Sequence, residues 1–169
     1  TTSTSSSPSS HHCVTVLSSI LLALFLPSSA PVKSLDISNN AGLDAIGHVV
    51  GDLLRVNQRL QSLRLDGNLI GFNGWQSIYA GLTQPKRPNA TMFDMPIPTF
   101  DLTKATKTLP YGRQQMFLSM LANLKATLDR NTPKEVLTAY LTRSVNSTPT
   151  MPWPSVLKAM DADAVDAVS

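Results

Sequence analysis

The chain has 169 residues, of which 42% are apolar and only 15% are charged. This composition is too apolar for a wholly disordered chain and is sufficient for one core of ordinary domain size. The formal net charge is +3 without a dense Lys/Arg cluster, so nucleic-acid binding is not predicted. The single cysteine, Cys13, excludes an intramolecular disulfide and a Cys-rich metal site.

The N-terminal region, residues 1–31, contains no Lys, Arg, Asp or Glu. Residues 1–13 are rich in Ser and Thr and are predicted to be disordered. The apolar run at 14–26 is too short to cross a bilayer, which takes about 20 residues. It has the length of a signal-peptide core, although no basic residue precedes it, and it also fits the helix of a repeat unit. The repeat helix is the favoured interpretation, and the signal peptide is the alternative.

Two strand-like segments repeat with an offset of 28 residues. Val32–Asn40 and Leu60–Asn68 both fit L-x-x-L-x-L-x-x-N, the pattern of leucine-rich repeats. Alternating apolar residues predict a short strand, and the asparagine side chain can bond the turning backbone that follows. The expected repeat core is Leu35, Ile37, Asn40, Leu63, Leu65 and Asn68. The outward positions form a candidate protein-binding face, with ordinary solvated positions as the alternative: Ser34, Asp36, Ser38, Ser62, Arg64 and Asp66.

The segments between these strands have helical spacing. Val49, Val50, Leu53 and Leu54 share one helix face, and a similar face follows Asn68. The pattern predicts an α/β fold, namely a ribonuclease-inhibitor-like leucine-rich repeat solenoid of short parallel strands and outer helices with a helical C-terminal extension. The predicted boundaries are 14–101 for the repeats, 102–143 for the helical extension or cap, and 144–169 for a linker and weakly structured tail.

The repeat becomes irregular before the helical extension. Met92 and Met95 continue the apolar spacing at an offset of 32 residues, and the prolines beside them predict the last strand of the sheet. A helix is then expected from Arg113, with an inward face of Met116, Phe117, Met120, Leu121, Leu124 and Leu128. A second helix is expected at 133–143, with Val136, Leu137, Tyr140 and Leu141 inward.

Basic residues outnumber acidic ones by seven to two between residues 102 and 143. A solvated helix face is the simplest interpretation of this charge. An acidic partner or a membrane surface is the alternative.

No motif of an active site is found. The glycines do not have P-loop spacing, and no nucleophile elbow is present. His48 has no visible partner in the sequence, and Asp161, Asp163 and Asp166 lack the glycine and glutamate of a calcium loop. We therefore predict a protein without enzymatic activity, cofactor or metal site. Sequons begin at Asn89 and Asn146 and would be glycosylated only in a secreted chain.

Three motifs resemble those of a known family. Leu35–Asn40 is similar to an LDISGN strand, and Leu65–Asn68 is followed by Gly74 and a helix to Leu82. The third motif is Thr91–Pro98, then Asp101, then a helix that ends at Leu128–Asn131. Together they resemble the repeat domain of the CARMIL proteins, which link capping protein, the actin-nucleating complex and myosin-I.

The resemblance implies a non-enzymatic scaffold that binds proteins and takes part in actin filament organisation. It implies a cytoplasmic location, at the plasma membrane or the cytoskeleton, and the chain is expected to be the C-terminal part of a longer solenoid. Capping-protein binding lies beyond the repeats in that family, and no comparable segment is found here. Membrane association is expected only through regions that this sequence lacks.

Two other functions remain open. The first is a secreted or cell-surface repeat protein, with residues 14–26 as its signal peptide. The second is a regulator of a small GTPase of the same repeat class, for which Arg64 is the only arginine on the expected face.

Overall fold

The computed structural model describes residues 15–16, 18–19, 23, 32–96 and 98–143. The predictions for residues 1–13 and 144–169, and most of 14–26, lie outside the described residues. The strands and longer helices follow in chain order: β1 Ser34–Asp36, α1 Leu43–Val56, β2 Ser62–Arg64, α2 Phe72–Thr83, α3 Thr99–Thr108, α4 Tyr111–Asn131 and α5 Lys134–Arg143.

The two strands are parallel, and their register follows the 28-residue spacing. Ser34 pairs with Ser62, and Asp36 pairs with Arg64. A third segment lies beside β2 but contributes only an isolated bridge between Ser62 and Asp94. In the described part of the chain, the sheet therefore consists of two paired strands and one isolated bridge.

The predicted leucine-rich repeat solenoid is wrong. The described chain is mostly helical, and its only strands are β1 and β2, of three residues each. Pro96 follows the bridge at Asp94 and has no N–H to extend a ladder. From Thr99 the chain continues as the helices α3, α4 and α5, so helical structure begins before the expected boundary at residue 102.

The core lies between the strands and the helices. It contains Leu63, Trp75, Ile78 and Phe117, each with 0% of its surface exposed. Helices α1 and α2 approach each other closely because glycines face one another: a Cβ atom added at Gly47 would lie 2.4 Å from the Cα of Gly74. The close contact fixes the two strand–helix units relative to each other.

The last two helices differ in how they are buried. The expected inward residues of α4 are buried except Met116, which is 52% exposed. In α5, Val136 and Leu137 are 42% and 51% exposed, so their predicted inward orientation is wrong. All side chains described in α5, at 134–139, are exposed, because no other described element covers them. Burial of Tyr140 and Leu141 lies outside the description.

Among the residues described, none of the helices combines the length and the apolar character that crossing a membrane requires.

Candidate protein-binding face

The outward positions of β1 and β2, the residue two positions after each strand and the bridge residue of the third segment form one polar surface. We call it the strand face: Ser34, Asp36, Ser38, Ser62, Arg64, Asp66 and Asp94. Ser34, Asp36 and Arg64 are exposed. The parallel register places Ser34 beside Ser62 and Asp36 beside Arg64. The Ser62 hydroxyl donates to the Asp94 carboxylate over 2.7 Å, which extends the row to the third segment.

Asp94 is a member of the strand face that sequence reasoning missed. Its signal was present, because Asp94 follows Ser62 by the same 32 residues that separate Met92 from Leu60. The isolated bridge brings the two residues together.

The charges on the strand face are only partly compensated. The backbone N–H of Ser38 donates to Asp36 over 3.0 Å and, with the Ser38 hydroxyl and nearby Arg64, lowers the pKa of the Asp36 carboxyl. Yet Asp36 and Arg64 form no direct ion pair, since the ion pairs between described residues lie on helices, at Arg55–Asp52 and Lys125–Asp129. The Arg64 guanidinium therefore remains able to bond a partner's carboxylate.

Asp66 is half-buried and has a structural role. Its Oδ1 accepts the backbone N–H groups of Gly67, Phe100 and Asp101 at 3.1 to 3.3 Å. These bonds hold the beginning of α3, whose N-cap residue Pro98 makes no side-chain cap. Asp66 is therefore a less suitable contact residue than Asp36 or Arg64.

The expected repeat-core residues fix the backbone beneath the strand face. Ile37, Leu63, Leu65 and Asn68 are buried, whereas Leu35 and Asn40 are half-buried. The Asn68 amide donates to the carbonyls of Ile37 and Leu65 over 2.7 and 2.6 Å. One buried side chain thus joins the ends of both strands.

A histidine–serine pair was not foreseen from the sequence. His48 Nδ1 lies 2.6 Å from Ser77 Oγ, which joins α1 to α2 across 29 positions of sequence. The pair is on the outer side of the helices, and the described residues supply no carboxylate bonded to the imidazole. The His48–Ser77 pair resembles the histidine–serine contact of a catalytic triad, but the described residues show no acid that orients the imidazole. The contact links α1 to α2.

The sequon residue Asn89 is buried, within the otherwise exposed loop segment at 85–90. Asn89 is 0% exposed, and its Nδ2 donates to the carbonyls of Leu54 and Asn57 over 2.8 and 2.9 Å. A glycan on this nitrogen would need to leave the core and would replace one of the two donated hydrogens. Glycosylation at Asn89, which would occur only in a secreted chain, is therefore incompatible with this fold, whereas Asn146 lies outside the described residues.

No metal site is visible in the described ranges, where no three His, Cys, Asp or Glu side chains are grouped to hold an ion. Comparison of the sequence with models of known protein families and with curated proteins finds no match.

Proposed function

We propose that the chain is a non-enzymatic protein-binding module and that its partners belong to the actin-regulatory machinery. The binding part of this proposal is supported above all by the exposed row of Ser34, Asp36 and Arg64 on two strands in fixed register. Arginine is enriched at protein interfaces because its planar guanidinium can bond a carboxylate through two parallel N–H groups.

The strand face also has the rigidity that favours binding. Its backbone is fixed from below by Asn68 and from the side by the backbone hydrogen bonds that Asp94 makes with Gln61 and Leu63. A surface that is already ordered loses little conformational entropy when a partner binds. The exposed charges then contribute to specificity and association rate.

The actin-regulatory part of the proposal rests on the residues of the three motifs. It does not require that the chain form a solenoid. Asp101 accepts the backbone N–H groups of Asn68 and Leu69, which belong to or follow the second motif. Asn68, the last residue of the second motif, donates from its side chain to the carbonyl of Ile37 in the first motif. Residues of the separate motifs thus bond one another, which supports treating them as one structural signature.

The proposal is tested by direct binding of the purified full-length chain to purified actin, capping protein, the actin-nucleating complex and myosin-I. We compare the unchanged chain with Arg64→Glu and with Lys104→Glu, which makes the same charge change at an exposed position on α3. We expect at least one of these proteins to bind, and Arg64→Glu to weaken that binding about tenfold or more.

Lys104→Glu is expected to bind like the unchanged chain, because Lys104 lies outside the strand face. Absence of binding to all four proteins would overturn the actin-regulatory assignment. Binding that Arg64→Glu and Lys104→Glu weaken equally would overturn the assignment of the strand face.

A further inference from the structure

A groove lies apart from the strand face, between α2, the loop at 84–90 and α4. Its volume is about 640 Å³, within the range of small-molecule sites. Tyr79, Pro85 and Pro88 line one side, and Asn123 and Arg130 line the other. We call this the helix groove.

The charged side chains in the helix groove and in the adjoining loop are basic. Arg130 is the one charged residue in its lining, and the exposed Lys86 and Arg87 stand between the two lining prolines. None of these three cations makes an ion pair within the described part of the chain. The adjacent carboxylate, that of Asp129, is already bonded to Lys125. An uncompensated positive rim favours a negatively charged ligand.

Hydrogen bonds to both helices hold the walls of the helix groove in place. Asn131 Nδ2 donates to the carbonyls of Asn89 and Met92 over 2.8 and 2.9 Å, which fixes the loop against α4. The N–H of Asn89 donates to the carbonyl of Leu82 over 3.0 Å, which fixes the same loop against α2. A preformed groove avoids part of the ordering cost of binding.

We propose that the helix groove binds an acidic segment of a partner protein, with a carboxylate of that segment held by Arg130. The prolines and Tyr79 offer apolar contact to the segment between its acidic residues, while Lys86 and Arg87 attract it at the rim. This site is independent of the strand face, so its test does not depend on the actin-regulatory assignment.

The test measures fluorescence polarisation of a short labelled peptide in which Asp alternates with Ala, against the full-length chain. A matched peptide carries Asn in place of Asp. We expect the acidic peptide to bind about tenfold or more tightly than the neutral one, and the difference to shrink as salt is added. Equal binding of the two peptides would overturn the proposal.

Variants then locate the site. Arg130→Ala is expected to weaken the acidic peptide about tenfold, whereas Lys107→Ala, an exposed lysine on α3, leaves binding unchanged. Unchanged binding by Arg130→Ala would overturn the assignment to this groove. Binding of anionic vesicles that Arg130→Ala abolishes, without binding of the peptide, would assign the groove to a membrane surface and overturn the proposal.

The chain's own Asp161, Asp163 and Asp166 are a rival occupant of the same charge. They are tested in the full-length chain by changing all three to Asn. Unchanged affinity for the acidic peptide supports a separate partner. A clear gain in affinity would mean that these residues compete for the helix groove, and it would overturn the assignment to a partner protein.

Discussion

The carboxylates of Asp66 and Asp101 each accept hydrogen bonds from backbone N–H groups at or near the other residue. Asp66 accepts the N–H groups of Phe100 and Asp101 at the start of α3, over 3.2 and 3.3 Å. Asp101, in the first turn of that helix, accepts the N–H groups of Asn68 and Leu69 over 3.1 and 2.8 Å. This exchange attaches the helical region to the end of β2, and it places a carboxylate with only 1% exposure in the core.

The buried Asp101 carboxyl predicts a specific pH dependence of stability. Burial raises its pKa above the usual 3.8, against the effect of the backbone N–H bonds, and the charge of Asp66 adds to the increase. The folded chain therefore binds this proton more tightly than the unfolded chain. Its contribution to stability is complete below the unfolded pKa and is lost as pH rises through the raised pKa.

Asp101→Asn removes this titration. Urea unfolding at about pH 4 and about pH 7 should show the variant gaining stability relative to the unchanged chain at the higher pH. Asp36→Asn is the matched comparison with the opposite sign, because the folded pKa of Asp36 is lowered. The same pH trend in both variants would contradict the burial argument.

Asn68→Ala should destabilise the fold strongly. It removes the buried amide that bonds the carbonyls of Ile37 and Leu65 at the ends of both strands. The Ile37 carbonyl keeps the Asn40 side chain as a donor, but the Leu65 carbonyl loses its side-chain donor and the N–H of Asn40 loses its acceptor, Asn68 Oδ1. These losses are expected to lower the free energy of unfolding by about 2–4 kcal/mol. Asn73→Ala, at an exposed position of α2, should change it by less than about 0.5 kcal/mol in the same urea titration. Similar losses in the two variants would contradict the role of Asn68.

The contact between α1 and α2 predicts opposite effects for two glycine substitutions. A Cβ at Gly47 would lie 2.4 Å from a backbone atom of Gly74, so Gly47→Ala should destabilise by about 1–3 kcal/mol. Gly112→Ala on α4 meets nothing within 4 Å and should stabilise by up to about 1 kcal/mol through helix propensity. Thermal unfolding followed by circular dichroism separates the two. A stabilising Gly47→Ala would contradict the close helix contact.

The buried sequon predicts the outcome of forced secretion. If the chain is directed into the secretory pathway, the folded fraction should carry an unmodified Asn89, because its amide nitrogen is bonded inside the core. Mass spectrometry of the fraction that unfolds cooperatively tests this. Full glycan occupancy at Asn89 in a stably folded chain would show that the Asn89 side chain is not buried as described.

The spacing of apolar residues predicted the pairing of β1 with β2, but it did not predict the overall architecture. The 28-residue offset placed Ser34 opposite Ser62 because strand register follows the alternation of apolar side chains. The overall architecture could not be obtained in this way. Repeat spacing in two units does not reveal whether further strands pair, and here pairing ends near Pro96 while the helices continue.

The parts of the candidate sites that sequence reasoning missed are long-range contacts. The buried Asp101 carboxylate bonds backbone N–H groups that are 32 and 33 residues away. At the helix groove, Asn131 of α4 bonds the carbonyl of Asn89 in the loop after α2, 42 residues away. Such contacts leave no periodic signal. Met116 and Leu137 show the related failure, because helical spacing predicts a shared face without identifying what covers it.

The most direct test of the proposed function is photo-crosslinking from the strand face. A photoreactive amino acid replaces Ser34 or, as the control, the exposed Thr103 on α3 in the full-length chain. Each chain is irradiated with the actin-regulatory protein that binds it in the direct assay. The account predicts an adduct from position 34 and little from position 103. An adduct from position 103 alone, or no adduct from position 34 while binding persists, would contradict it.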